Sequence, residues 1–345
     1  MFKIFPRFRK DLGIDLGTSS TLIYVKDKGI MVNEPSVVAI NTRTDQIIAI
    51  GDDAKRMVGK TPSHIMISKP LVEGIVSDFE VTEKMLKYFI EKILNEKLGI
   101  LGSKPRIVIG IPLEVTEVER KAVEDAALGA GAREVFLVEE PMAAAIGARM
   151  PIQESTGNLI VDIGGGTTQI AVISLSGVVV SKSIHTAGDV LNKNIIQYIR
   201  ENFNLLIGDI TAERVKIKLA AIYPAEKPVE LAVAGRDLLN GLPKEITITD
   251  AEVRDAIMRS IKNIVTNIKS TIEQTPPELV ADIYRRGIVL SGGGALLKGI
   301  DELVKKETRV PVIIIDDPLT TVVRGTGLIL EDLEGLQDIL IPSAR

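Results

Sequence analysis

Short apolar blocks recur along the chain, and longer stretches repeat their apolar positions with a helical period. Leu22-Ile23-Tyr24-Val25, Ile107-Val108-Ile109, Ile170-Ala171-Val172-Ile173 and Ile288-Val289-Leu290 are blocks of the first kind. Val, Ile and Leu running together without polar alternation fit strands buried on both faces, as in parallel sheets covered by helices. Helices declare themselves by their ends. A Thr116/Glu119 capping box predicts a helix start after the strand Arg106-Ile107-Val108-Ile109-Gly110-Ile111-Pro112. A Thr249/Glu252 box predicts a long helix over roughly 250–274, stopped before Pro276-Pro277.

The blocks repeat in order. Gly13-Ile14-Asp15-Leu16-Gly17-Thr18-Ser19-Ser20-Thr21 reads as strand, Asp-x-Gly turn and strand. Val161-Asp162-Ile163-Gly164-Gly165-Gly166-Thr167-Thr168, leading into Ile170-Ala171-Val172-Ile173, reads the same way. Each hairpin is succeeded at a distance by strand, helix, strand, acidic pair, Pro and helix. The first set runs from Arg106 to Glu139-Glu140-Pro141-Met142, and the second from Arg286 to Asp316-Asp317-Pro318-Leu319. Two features in matching order point to a duplicated chain, each half a parallel-sheet lobe with helices on its faces. Residues 34–76 and 188–245 do not match each other. They read as inserted subdomains, the second containing a hairpin strand at Glu230-Leu231-Ala232-Val233-Ala234-Gly235.

Composition agrees with this picture. A chain of 345 residues, 45% hydrophobic but only 3% aromatic and without Trp, can fill two cores from Ile, Val, Leu and Ala. The absence of Cys excludes disulfides and thiolate metal sites and fits a reducing compartment. With only His64 and His185 a transition-metal cluster is not expected, and a net charge of −4 argues against nucleic acid as a partner. No apolar run reaches the ~18 residues of a membrane span. Residues 1–10 differ in character: Lys3, Arg7, Arg9 and Lys10 alternate with Phe2, Ile4, Phe5 and Phe8 around Pro6. Such an arm suits an anionic membrane surface, with a solubilising tail as the alternative.

The turns carry the chemistry. A glycine-containing turn brings backbone N–H groups toward one point and lets phosphate oxygens approach closely. Gly17, Thr18, Ser19 and Ser20 form one candidate cradle, and Gly164, Gly165, Gly166 and Thr167 the other; facing each other across a cleft they would clamp a polyphosphate. Asp15 and Asp162 would then stand near phosphate, which makes sense with a hydrated Mg²⁺ between. Gly292-Gly293-Gly294-Ala295-Leu296-Leu297 comes after a strand and is expected to open a helix against a flat ring or a phosphate, or to be a plain tight turn. Glu140 precedes Pro141 at a predicted helix start. It can orient a water for in-line attack on a γ-phosphate, with Thr167 holding the same water, or it can simply cap the helix. Two lookalikes fail. Ala54-Lys55-Arg56-Met57-Val58-Gly59-Lys60-Thr61 lacks the first glycine of a P-loop, and adjacent acids such as Glu139-Glu140 are not a pair set across a glycosidic bond.

With these motifs the chain resembles, essentially end to end, the bacterial MreB family of actin-like cell-shape proteins, within the actin, sugar-kinase and heat-shock ATPase superfamily. Further matches are Asn33-Glu34-Pro35-Ser36-Val37-Val38, Gly129-Ala130-Gly131-Ala132-Arg133-Glu134-Val135, Pro141-Met142-Ala143-Ala144-Ala145-Ile146-Gly147 and Thr211-Ala212-Glu213-Arg214. The resemblance implies an α/β, duplicated actin-like (ribonuclease H-like) two-lobed ATPase fold with a small subdomain in each lobe. The first-lobe core would comprise residues 1–33, 77–149 and 320–345 with 34–76 inserted, and the second 150–187 and 246–319 with 188–245 inserted. It further implies ATP or ADP with Mg²⁺, hydrolysis by Glu140 and Thr167, Glu213 and Lys216 beside ribose and adenine, and an adenine pocket at Gly293, Gly294, Ala295 and Leu296. Paired protofilaments of this chain on the inner face of the cell membrane, guiding peptidoglycan elongation proteins, are implied by the same resemblance. So is a membrane loop, for which Leu98-Gly99-Ile100-Leu101-Gly102 stands at the right place, with a buried turn as the alternative. Gln169 replaces an acid usual in the family, as do Asn192 and Lys193, which bears on turnover and on local charge. A nucleotide-binding scaffold with little hydrolysis and a metabolite kinase of the same fold are the rival readings.

Overall fold

The two Asp-x-Gly hairpins each form the centre of a five-stranded sheet in the computed structural model, which describes residues 11–95 and 104–342. The arm at 1–10 and the loop at 98–102 lie outside the described residues. In the first sheet the strands run in the order Gly29–Pro35, Ser20–Val25, Leu12–Leu16, Arg106–Ile111, Glu134–Glu139. The first three are antiparallel neighbours, and the last two join in parallel. The second sheet repeats this with Gly177–Ile184, Thr168–Ser174, Asn158–Ile163, Ile288–Ser291 and Val312–Ile314, antiparallel through the third strand and parallel beyond it. Identical order and direction confirm the duplication read from the sequence.

Burial explains the apolar blocks. Leu12, Ile14, Ile107 and Ile109 lie in one buried cluster, and Leu159, Val161, Ile170, Ile288 and Leu290 in another. Fully burying an aliphatic side chain of this size is worth about 1.5–3 kcal/mol, so each sheet is held by its covering helices. Both capping boxes form. Thr116 and Glu119 exchange hydrogen bonds at the head of the helix Glu117–Gly129, and Thr249 and Glu252 do so at the head of Asp250–Gln274. The long helix ends at Gln274, and Pro277 opens a further helix, Pro277–Arg286.

The chain divides into two compact units, one of Met1–Met57, Thr61–Arg149 and Val322–Arg345, the other of Val58–Lys60 and Met150–Thr321. Within the first, residues 34–76 contribute a three-stranded sheet of Gln46–Ile50, Val38–Asn41 and Ile65–Ser68, with the helix Asp52–Met57 and a hairpin of Leu71–Val72 and Ile75–Val76. Within the second, residues 188–245 contribute the helices Gly188–Phe203 and Asp209–Leu219 and most of a sheet of Leu205–Leu206, Glu230–Asp237 and Pro243–Thr249. Among the described residues no helix is long and apolar enough to cross a membrane.

One expectation changes. Gly292 to Leu297 do not open an α-helix; they form a 3-10 turn, Gly293–Leu296, and the α-helix Ile300–Thr308 starts only after Gly299. Gly292 has φ 78°, and a methyl placed on it would lie 2.4 Å from the carbonyl oxygen of Ile163. The backbone presses against the neighbouring strand there, which only a residue without a side chain allows, and the tight turn is the alternative that forms.

Candidate functional site

In the first unit the turn after Asp15 is tied from behind. Gly17 N–H donates to the Ser20 carbonyl at 3.1 Å, and the Ser36 amide donates to the Ser19 carbonyl at 3.2 Å. The Ser36 hydroxyl donates to the Gly17 carbonyl at 2.6 Å, and the Gly74 amide to Thr18 Oγ1 at 2.8 Å. Gly17 therefore serves by its missing side chain, since a methyl there would stand 2.9 Å from the Ser20 carbonyl oxygen. Ser19 is exposed, and Thr18 and Ser20 are half-buried.

Strand register assembles the carboxylates of this unit. Asp15 pairs with Gly110 across the parallel strands, and Gly110 pairs in turn with Val138. The strand Glu134–Glu139 runs without a break into the helix Glu140–Gly147, so Glu140 is its first residue, with Glu139 at the cap position and Pro141 behind. Glu139 makes no side-chain cap bond, and Glu140 is not the cap, which removes the plain capping role considered for it. Glu140 is only 7% exposed, and a methyl on Gly110 would lie 3.4 Å from Glu140 Cγ and 3.2 Å from Val322 Cγ1. The empty Cβ position of Gly110 is thus the slot over which Glu140 lies, beside the register partner Asp15. Burial raises the Glu139 carboxyl above its ordinary range, opposed by the charge of Arg120.

The second unit builds a denser arrangement. Gly164 N–H closes its turn on the Thr167 carbonyl at 2.9 Å, and the Gly164 and Gly165 carbonyls accept from the amides of Gly188 and Asp189 at 3.1 and 2.8 Å. Those amides belong to the first turn of the helix Gly188–Phe203, where N–H groups have no partner within the helix. Lys216, on the helix Asp209–Leu219, donates from Nζ to the Gly188 carbonyl at 2.9 Å, which fixes its cation beside the glycine turn. Glu213 lies one turn earlier on that helix and is half-buried. The segment after it joins the Gly292 turn: Ile222 N–H donates to the Lys298 carbonyl at 2.8 Å, and Ala221 bridges to Lys298. Gly292 N–H in turn donates to the Pro318 carbonyl at 3.0 Å. Of the predicted adenine-pocket residues, Leu296 is 55% exposed, whereas Ala295 is fully buried and points its methyl into the core. Thr167 is buried, and the neighbouring Thr168 hydroxyl donates to the Thr186 carbonyl at 2.7 Å.

Asp162 stands at the mouth of this arrangement, 7% exposed, and its Oδ1 makes no hydrogen bond. Its register partner Ser291 is 0% exposed, and Ser291 Oγ is equally without a bond. Burial pushes the Asp162 carboxyl up to about 6; Ser291 is near enough to temper that rise without forming a well-shaped hydrogen bond. A buried carboxylate oxygen with no donor is costly unless a cation or an ordered water meets it. Among the described residues no three His, Asp or Glu side chains form a metal cage. An ion here would take a carboxylate, its own waters and phosphate oxygens, the coordination that suits Mg²⁺. The residues present fit a magnesium nucleotide. Sequence reasoning missed Gly110 and Ser291, although both come after an apolar triplet at the same place in the two repeats, and missed Gly188, which carries no local motif.

The family model described as MreB/Mbl protein matches residues 9–338. The cell shape-determining protein Mbl of Bacillus subtilis is 49% identical over 329 residues, covering 95% of this chain and 98% of that protein. The cell shape-determining protein MreB of Escherichia coli K12 is 48% identical over 333 residues, with 95% of each chain covered. MreB5 of Spiroplasma citri, solved bound to AMPPNP and bound to ADP, superposes with a TM-score of 0.90 at 37% identity, covering 96% of this chain and 99% of that one. A two-unit α/β fold with duplicated sheets, matched along nearly its whole length by these proteins, settles the question of kinship: the chain belongs to the MreB/Mbl family and has its actin-like fold.

Proposed function

We propose that this actin-like cytoskeletal protein binds ATP with Mg²⁺ on its two glycine hairpins, hydrolyses it slowly, and uses the nucleotide state to time assembly into filaments that determine cell shape. The observation that carries the nucleotide part is the partnerless, buried Asp162 Oδ1 beside a glycine turn to whose neighbouring helix Lys216 is bonded. A relative with AMPPNP and with ADP bound supports the same ligand class. When bound, the magnesium ion neutralises phosphate charge and polarises the terminal phosphoryl group.

The chain's own residues have separable tasks. The amides of the two turns hold phosphate oxygens where no side chain intervenes. Asp15 and Asp162 hold the waters of the cation. Glu140, buried at the start of its helix, orients the attacking water, and Thr167 supplies a hydroxyl beside the second cradle. In phosphoryl transfer such positioning and charge placement supply nearly all of the catalysis. Lys216 and Glu213 lie on the helix bonded to the Gly188 turn, and their task would be to meet the ribose and adenine of the nucleotide.

Assembly would be into paired protofilaments of this chain on the cytoplasmic face of the cell membrane, reached through the basic-aromatic residues 1–10 and the loop 98–102, where they guide cell-wall elongation proteins. Sedimentation with ATP, ADP or no nucleotide, each with and without anionic liposomes, tests this. A pellet that depends on ATP and grows with liposomes is expected. Absence of polymer under every condition would overturn the filament reading, and liposome binding unchanged by deletion of residues 1–10 would remove the arm as an anchor.

A further inference from the structure

We infer that Ser291 is a positioning residue for Asp162: when a nucleotide is bound, its hydroxyl, which makes no hydrogen bond in this structure, donates to the carboxylate and leaves Oδ1 to the hydrated cation. The inference rests on the function proposed above, since it concerns the same site. Parallel register sets Asp162 beside Ser291 at the ends of adjacent strands, where in-register side chains share one face of the sheet. Ser291 succeeds Ile288, Val289 and Leu290, and its side chain is fully withdrawn from solvent, a place where an aliphatic residue would pack without cost. A hydroxyl that is buried there and lacks a bond is a feature that packing alone does not explain.

The duplicated sheet supplies the control. The position equivalent to Ser291 is Gly110, the register partner of Asp15, and its empty Cβ position is covered by Glu140. The first carboxylate therefore has another carboxylate side chain for a neighbour, and the second a buried hydroxyl that no other group engages. Close approach of Gly292 to the Ile163 carbonyl clamps the two strand ends of the second unit together, so Ser291 cannot drift away from Asp162. A carboxylate that serves a cation is commonly held by such a donor, and losing it costs about 10–100-fold in metal affinity.

The test is the affinity of the full chain for a fluorescent ATP analogue, measured in EDTA and in a Mg²⁺ series. Ser291→Ala is expected to lower the Mg²⁺-dependent gain in affinity at least about tenfold, with binding in EDTA unchanged. Ser291→Thr, which keeps the hydroxyl, is expected to hold most of the gain. Unfolding curves show which variants remain folded, and the Thr variant decides the matter if the Ala variant does not. A wild-type Mg²⁺ response in Ser291→Ala overturns the inference and leaves the proposed function standing. An equal loss in Ser291→Thr also overturns it, because the effect would then be one of packing. A wild-type protein that gains nothing from Mg²⁺ brings down the nucleotide reading and the inference together.

Discussion

The two sheets share strand order and direction but differ at one equivalent pair of strand ends. Beside Asp15 stands Gly110, whose missing side chain makes room for Glu140; beside Asp162 stands Ser291, buried and without a bond. One copy of the frame has opened a slot over which a carboxylate side chain lies, and the other has enclosed a carboxylate whose Oδ1 has no hydrogen-bond partner. Duplication supplies the scaffold, and single side chains at matched register positions divide the labour.

The comparison can be pressed at the point of largest expected effect, the ionisation of Asp162. Its carboxyl titrates near 3.8 in the unfolded chain and is raised to about 6 in the folded one, with burial as the cause. The proton-bound form is therefore favoured by folding, so stability is fully present below the unfolded value and is lost as pH rises through about 6. Two units correspond to roughly 3 kcal/mol, which Asp162→Asn is expected to return to the nucleotide-free protein above that pH and not at pH 4. Urea unfolding at the two pH values checks it, and a gain equal at both would point to packing and not to charge.

Glu140→Ala attacks the other copy. Phosphate release is expected to fall about 100-fold, as for loss of a positioned acid–base group, while ATP affinity stays near wild type. Unaltered release would remove Glu140 from the reaction. Gly110→Ala is subtler, since its methyl would sit 3.4 Å from Glu140 Cγ and 3.2 Å from Val322 Cγ1. Turnover is expected to drop about tenfold at little change in affinity, because small misplacements of a catalytic group are costly. Adding Val322→Ala gives the new methyl room and should restore part of the rate; no restoration would mean the slot is not what positions Glu140. At the small end, Thr116→Ala removes a helix cap that makes no bond to either hairpin and should cost about 1 kcal/mol in stability with nucleotide affinity kept.

Much of this was legible in the chain. The hairpins, both capping boxes, the limits of the long helix and the duplicated order are written in local residue patterns, because turns and caps are decided by a few neighbouring side chains. What lay hidden depends on register across strands far apart in sequence: that Gly110 adjoins Asp15, that Ser291 adjoins Asp162, and that Gly188 anchors both the glycine turn and Lys216. At Gly292 the tight turn, and not the α-helix opening, is the reading that holds, for the same reason. Its positive φ and the 3-10 turn after it answer to the Ile163 carbonyl, a contact that no local pattern announces.

The central claim is that Asp162 holds the cation of a magnesium nucleotide. Calorimetric titration of ATP into wild-type protein and Asp162→Asn, each in EDTA and in Mg²⁺, addresses it most directly. The account predicts that Mg²⁺ strengthens binding to the wild type and that the variant loses this gain while keeping its affinity in EDTA. An Asp162→Asn protein with the full wild-type response to Mg²⁺ would contradict it.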